Sequence, residues 1–319
     1  MDKIISEEPI LADSGFYWRV REGVKVLASR MLDDAGFENG FSTRLGGVSS
    51  MTAEPLESTI GGNRSEELIS RRAEPLSHGT KTGPDLNLAG FDEDRAENIY
   101  ENRRRFINVF GGRYKLASVW QVHGDGIKSV RTAADADSNE DKFDAIISDM
   151  SGLLIGVKTA DCVPVLIGDP ITRSFAAIHA GWRGTSQLIV RKAVEKMAKE
   201  FGSSPKDLLC AIGPAALCGN YEIGQEVIDT ISKAFSSPER YFKPTRDGHA
   251  LVDLHLANED LLIDSGVRPE SIHKAPFCTM GRTDLFFSYR VEKPRYGKTG
   301  RLMSVIGLAS DKFTELSRS

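Results

Sequence analysis

The sequence predicts an α/β fold, a mixed-sheet α/β sandwich. Three observations carry that expectation. Apolar runs of strand length recur along most of the 319-residue chain, with helix-period segments between some of them. Three of the runs, Leu153 to Val157, Val163 to Ile167 and Phe175 to His179, are nearly unbroken apolar stretches. Strands buried on both faces read that way. No Gly-x-Gly-x-x-Gly or Walker signature occurs, so neither nucleotide-binding fold is indicated.

The elements follow in chain order. Val24 to Ala28 and the approach to Phe41 are apolar runs flanked by glycine and read as strands. From about Ser49 to Pro84 the chain turns to Ser, Glu, Arg, Gly, Thr and Pro. Such a composition buries little, so a polar surface insertion is expected at about 50–85, with one short helix around Ser65 to Arg72. Asp92 can cap a helix running to Phe110, with Ile99, Phe106, Ile107 and Phe110 on its apolar face. Leu116 to Val122 and Gly126 to Val130 read as two strands joined by the turn His123-Gly124-Asp125. Asp144 to Ser148 precedes the three buried runs. A helix then starts at Thr185 or Ser186 and ends near Phe201, closed by Gly202 and Pro205. Leu208 to Ile212 is a strand ended by Gly213-Pro214. Gly224 to Phe235 and Asp253 to Ser265 are helices, the second stopped by Gly266. Ile272 to Phe277, Leu285 to Tyr289 and Leu302 to Leu308 complete the strands. The whole, residues 1–319, is expected to form one domain.

Composition narrows the function classes. Charged residues make up 27% and the hydrophobic set 40%, the balance of a soluble globular protein. A formal net charge of −4 provides no global attraction to nucleic acid or anionic membrane. Met1 to Glu8 lacks the apolar core of a signal peptide, and no apolar run approaches the ~20 residues of a membrane span. Four cysteines, Cys162, Cys210, Cys218 and Cys278, do not make a disulfide framework in this length, so a reducing, cytoplasmic home is expected.

The chemistry concentrates in two short stretches. Thr159-Ala160-Asp161-Cys162-Val163-Pro164 places a thiol and a carboxylate where Pro164 marks a strand start. His179-Ala180-Gly181-Trp182-Arg183-Gly184 ends an apolar strand in a glycine turn. Strand ends of that kind collect ligands in α/β sheets. Upstream, Gln121-Val122-His123-Gly124 offers a second imidazole. The spacing is too wide for a structural zinc site, whereas one Cys and two His from separate strand ends suit a catalytic metal. Cys162 and His179 equally suit a nucleophile and its base. Arg183, beside an expected helix N-terminus, is an anion-site candidate. Trp182 is a stacking surface or a core residue, and Glu222 a site acid or a first-turn charge. Arg290 and Arg301, near the end, are exposed surface arginines or else tether a strand end or phosphate.

These motifs, in order, are the ones by which the chain resembles the laccase-like multicopper polyphenol oxidoreductase family, also called the peptidoglycan editing factor family. The matching residues begin at Phe41-Ser42-Thr43-Arg44-Leu45-Gly46-Gly47-Val48-Ser49 and include Asn87-Leu88, the three stretches above and Asp144-Ala145. They continue through Ile212-Gly213-Pro214, Tyr221-Glu222, Asp253-Leu254, Cys278-Thr279, Phe287-Ser288-Tyr289-Arg290 and Thr299-Gly300-Arg301. The resemblance implies an α/β sandwich similar to a group of cysteine-hydrolase-like proteins and a zinc held by His123, Cys162 and His179. It also implies purine nucleoside phosphorylase activity with adenosine deaminase and methylthioadenosine phosphorylase activity. One departure is visible: Met51 to Asp85 intervenes where the family runs on in far fewer residues.

Under that reading the partners are purine nucleosides and phosphate, with neither nucleic acid nor membrane, in a monomer or homodimer. Arg44 and Arg183 are the expected phosphate holders, and Asp161 or Glu222 manages a proton. Cys162, His179 and Asp161 form the catalytic set. Two alternatives stand beside it: a Cys–His amide hydrolase editing cell-wall precursors, and a copper-dependent polyphenol oxidase. Copper ranks below zinc, because the chain has six histidines in all.

Overall fold

The computed structural model describes residues 7–51, 83–111, 114–137 and 142–309. Two six-stranded mixed sheets pack face to face, with helices on both outer faces, giving a mixed-sheet α/β sandwich. The first sheet has the order β1 (Phe16–Arg21), β2 (Val24–Ser29), β3 (Glu38–Ser42), β16 (Leu302–Gly307), β8 (Leu153–Thr159), β5 (Lys115–Ser118). The second runs β15 (Ile272–Lys274), β11 (Leu209–Ile212), β9 (Val163–Gly168), β10 (Phe175–Ala180), β7 (Ala145–Ser148), β6 (Ile127–Val130). Strand β4 (Leu45–Ser49) lies outside both, and β12 (Glu222–Gly224), β14 (His249–Val252) and β13 (Phe242–Pro244) form a small third sheet.

Strand alternation sorts the side chains into layers. Leu27, Phe41, Ile155, Val157 and Ile306 of the first sheet meet Ile146, Leu166, Phe175 and Ala177 of the second. Each such buried Leu, Ile, Val or Phe side chain contributes about 1.5–3 kcal/mol relative to exposure. The intervening residues face outward. Leu154, Met303 and Val305 pack on Phe106 of a helix at Ala96–Asn108. Val163, Val165, Ile167, Ala176 and Ile178 pack on helices at Ile189–Phe201 and Leu254–Asp264. By the same alternation, His179 shares the inter-sheet face with Phe175 and Ala177.

Several expectations change. β5 and β6 are not a hairpin: β5 pairs with β8 in the first sheet and β6 with β7 in the second. Periodicity shows that both are strands but not which sheet each joins. The helix expected from Asp92 begins at Ala96, because the Asp94 carboxylate, not Asp92, takes the Arg95 N–H (2.8 Å) and Asn98 Nδ2 (3.0 Å). Leu285 to Tyr289 is not a strand. Ser288 caps a helix at Tyr289–Tyr296, its Oγ accepting from the Val291 N–H at 3.3 Å. The helix expected from Thr185 is split by Leu188, at φ +61°, into Trp182–Ser186 and Ile189–Phe201.

The ends of the polar insertion also differ from expectation. Met51 and Asp85 are fully buried, and Asp85 Oδ2 accepts the Met51 N–H at 3.0 Å. Asp85 also bridges Leu45 and Ser49, so the chain departs and returns at adjacent points. The short helix expected around Ser65 to Arg72 lies outside the described residues.

Arg44 is part of this anchor rather than a phosphate ligand. It is 2% exposed, with Nε 2.8 Å from Asp85 Oδ1 and Nη1 2.5 Å from Glu292 Oε1. Nη1 also donates to the Thr283 carbonyl (2.7 Å), and the guanidinium lies 4.5 Å from the Phe287 ring centroid. A guanidinium so enclosed by two carboxylates has no face left for a mobile anion.

Candidate metal centre

The chain crosses from the first sheet to the second twice, and both crossings leave from the same end. β5 and β8 run parallel, so residues 119–126 and Ala160–Cys162 depart side by side. β10 arrives antiparallel to β9, which sets His179 opposite Pro164 and Ala180 opposite Val163. Asp144, just before β7, lies at that end too, since the His179 N–H donates to its carbonyl at 2.8 Å. Topology thus gathers His123, Cys162, His179 and Asp144 at one mouth of the inter-sheet layer.

Both crossings hold a residue in the left-handed region, His123 at φ +59° and Asp161 at φ +86°. Such a backbone costs a non-glycine residue about 1–2 kcal/mol and persists only where surroundings enforce it. At the first crossing the Asp144 carboxylate accepts three successive N–H groups, from Val122 (3.2 Å), His123 (2.9 Å) and Gly124 (2.7 Å). Gln121 adds a two-way bond to the Lys158 main chain, 2.7 Å in each direction. At the second crossing Asp161 accepts from Thr279 Oγ1 (2.7 Å), Ser288 Oγ (2.9 Å) and the Arg290 N–H (2.8 Å).

The donor atoms of His123, Cys162 and His179 all lie within 4.8 Å of one another. Tetrahedral coordination at ~2.0–2.3 Å asks for separations of roughly 3.3–3.7 Å, a small adjustment. The two imidazole rings meet edge to face, centroids 4.9 Å apart. Gly181 is what allows this closeness. A Cβ there would come within 3.1 Å of Cys162 Sγ and 3.3 Å of His123 Cδ2. Among the described residues this is the one such group of His, Cys, Asp or Glu.

The electrostatics suit a ligand set. A carboxylate can only accept, so His179 Nδ1–H donates to Asp144 Oδ1 (2.8 Å) and Nε2 is left for the centre. Burial pushes the Asp144 carboxyl up, but the bonds from His179 and from the Gly124 and Val122 N–H groups hold it below its usual range. Burial likewise raises the Cys162 thiol, and the His179 charge and bonds from both imidazoles more than reverse that, to about 6. Burial lowers His179, yet the Cys162 sulfur and Asp144 carry it up to about 9. At neutral pH the metal-free pair is therefore thiolate and imidazolium.

A metal requires thiolate and neutral imidazole, so its binding is linked to these protons. Between about pH 6 and 9 binding releases the His179 proton; below about 6 it also releases the thiol proton. Zinc affinity is expected to rise about tenfold per pH unit across that window and to level off above it. Competition with a chelator of known proton affinity, from pH 5.5 to 9.5, measures this; a flat profile would contradict it.

The mixed sheets, the crossings and the ligand cluster can be set beside known proteins. A family model described as multi-copper polyphenol oxidoreductase laccase matches residues 38–309. The chain belongs to this family. It is 39% identical over 165 residues to a purine nucleoside phosphorylase of Bacteroides thetaiotaomicron, spanning 51% of this chain and 60% of that protein. It is 32% identical over 248 residues to a purine nucleoside phosphorylase of Staphylococcus aureus, 75% of this chain and 90% of that one. Adenosine deaminase RL5, from an unknown prokaryotic organism, is 34% identical over 162 residues, 50% of this chain and 62% of that one. Among solved structures, the Bacillus licheniformis hypothetical protein YfiH superposes with TM-score 0.76 at 25% identity, covering 92% of this chain and 98% of its own.

In this laccase-family chain the remaining predicted residues scatter. Trp182 is half-buried and packs on the outer core, with the exposed Arg183 guanidinium 4.2 Å from its ring centroid. The helix behind Arg183 is a single turn of 5 residues, too short to supply the expected N-terminal anion site. Glu222 is on strand β12, not a helix start, and is held by Thr245 Oγ1 (2.7 Å) and Arg246 (3.2 Å). Burial raises the Asp161 carboxyl against the pull of its three donors.

Sequence reasoning assigned no role to Asp144 or Tyr221. Asp144 had a legible signal, a carboxylate directly before a buried strand. Tyr221 is half-buried, its phenol pushed up to about 12 by burial and by the nearby Cys162 sulfur. The Arg290 guanidinium lies 5.2 Å from its ring centroid.

Proposed function

We propose that this protein is a zinc-dependent purine nucleoside phosphorylase that also deaminates adenosine and accepts methylthioadenosine. The observation that carries the proposal is the convergence of one thiolate and two imidazoles at the mouth between the sheets. The names of the similar Bacteroides, Staphylococcus and RL5 proteins support the substrate class. The donor set favours zinc. Three protein ligands of N and S type match its catalytic sites, and no fourth His, Cys, Asp or Glu joins the group among the described residues. A multicopper oxidase would need further clusters.

Bound at His123, Cys162 and His179, zinc would supply a Lewis acid where the reacting group sits. The protein's own residues do the rest. Asp144 holds His179 in the tautomer that presents Nε2 and fixes the backbone that carries His123. Asp161 fixes the backbone that carries Cys162. With its carboxylate taken by three donors, it acts as a positioning residue rather than the proton carrier first expected. The free thiols of Cys162, Cys210, Cys218 and Cys278 support a cytoplasmic reading. One inter-sheet core drawing on residues from Leu11 to Leu308 supports a single domain.

The test uses zinc-loaded protein with inosine and adenosine, with and without phosphate. Base release that requires phosphate and yields ribose 1-phosphate is expected, together with phosphate-independent ammonia release from adenosine. Loss of neither nucleoside under any condition would sink the proposal. A second reading has one observation in its favour: Cys162, His179 and Asp144 also form a nucleophile–base–orienter chain with the thiolate already charged. That chain needs His123 only as a hydrogen bond to the Cys162 sulfur, not as a ligand.

A further inference from the structure

Arg290 makes no direct salt bridge among the described residues, although it is half-buried beside the metal centre; the carboxylate that feels its charge, Asp161, is taken by its three donors. Other partly buried arginines near it are neutralised. Arg282 pairs with Glu7 (2.7 Å) and Asp284 (2.8 Å), and Arg301 lies 3.7 Å from Glu93. Arg103 also lacks a carboxylate, but its Nε is taken by the Leu88 carbonyl at 2.9 Å. A guanidinium partly removed from water with no carboxylate in direct contact keeps donors that an anion can complete.

The position of Arg290 is built by the site itself. Its N–H is fixed on Asp161, the residue before Cys162, and Ser288, two positions earlier, donates to the same carboxylate oxygen. Its guanidinium lies against the Tyr221 ring and donates to the Tyr221 hydroxyl oxygen, which leaves the phenol's own O–H and the remaining guanidinium N–H groups as donors. Tyr221 is anchored in turn, its N–H on the Leu217 carbonyl (3.1 Å) and its carbonyl accepting the Val252 N–H (3.0 Å). The ring packs on the outer core. An aromatic plane under a guanidinium limits its rotation and leaves its N–H fork directed edgewise, the geometry that binds an oxyanion with two parallel bonds.

We propose that Arg290, supported by Tyr221, is the oxyanion subsite of this protein and holds inorganic phosphate beside the metal centre. The assignment rests on the phosphorylase reading for its ligand and replaces Arg44, which is sealed in the core. Arg290 provides the paired N–H donors, and the Tyr221 hydroxyl provides one more. Arg290→Lys retains a point charge but loses the fork, so it retains only part of the affinity.

The probe is inorganic phosphate, titrated calorimetrically into the full-length protein in zinc-loaded and metal-free forms, with sulfate as competitor. Arg290→Met is expected to weaken phosphate binding at least about tenfold, and Arg290→Lys and Tyr221→Phe less, with zinc content unchanged. In turnover, the ratio of phosphorolysis to deamination should fall at least about tenfold in Arg290→Met through a raised KM for phosphate. Phosphate affinity within twofold of wild type in a folded Arg290→Met or Arg290→Lys protein would overturn the assignment. Should Arg290→Met not fold, the Arg290→Lys and Tyr221→Phe titrations decide it by the same criterion. Wild-type protein that binds phosphate through Arg290 yet releases no base would leave the subsite standing and sink the phosphorylase reading.

Discussion

His123→Ala is expected to strip the centre of its metal and to lower nucleoside turnover by about a thousandfold or more. Removing one of three protein ligands leaves a thiolate and one imidazole, a donor set too small to retain zinc against a chelator. Losing even a residue that only orients a metal ligand typically costs 10–100-fold, so losing a ligand costs more. The variant discriminates because the alternative chain of Cys162, His179 and Asp144 uses the His123 imidazole neither as nucleophile nor as base, only as one hydrogen bond to the Cys162 sulfur. A Cys–His hydrolase would lose only one hydrogen bond to its thiolate, about tenfold in activity, and would do so independently of metal content, whereas Cys162→Ala would abolish either chemistry. Metal content by elemental analysis should fall with activity in His123→Ala. Full turnover at a metal content below a tenth of wild type would refute the metal reading.

Arg44→Ala is expected to destabilise the protein by about 3–5 kcal/mol, the cost of leaving two buried carboxylates without their partner. Asp85 is 0% exposed and Glu292 2%, so water cannot take over the lost contacts without opening the core. The loss should be felt at three separated places: where β4 begins, where the chain returns at Asp85, and along the helix that follows Ser288. Urea denaturation of wild type and variant measures the difference. A double variant, Arg44→Met with Glu292→Gln, should recover part of it, because the buried charge falls with the partner. An Arg44→Ala protein as stable as wild type but deficient in phosphate binding would return Arg44 to the role first expected of it.

The contrast between Arg44 and Arg290 shows where reading the chain alone runs short. Both arginines sit in polar motifs with nearby glycine, serine or threonine, and nothing local separates a neutralised guanidinium from an available one. Asp85 and Glu292, which neutralise Arg44, are far from it in sequence and reach it only through the fold. The continuous strands β8, β9 and β10 were legible because burial on both faces demands unbroken apolar runs. β1 was not anticipated, although Glu22-Gly23, both at positive φ, joins it to β2 by the two-residue turn that favours a hairpin. The turn at His123 was misjudged for the opposite reason: local pattern suggested a hairpin, and long-range pairing divided the strands between sheets.

The class of fold and the identity of the reactive groups are legible from the chain alone. Strand and helix periods follow from local burial, and thiol, imidazole and carboxylate chemistry is carried by single residues. Which of those groups meet depends on the folded arrangement. Two parallel strands leaving one sheet from the same end, and an antiparallel strand arriving beside them in the other, bring His123, Cys162 and His179 together. The same packing makes Asp144 the brace, encloses Arg44 and leaves Arg290 without a direct salt bridge among the described residues. Those outcomes depend on inter-sheet pairing, a sum of many long-range contacts that no local window of sequence contains.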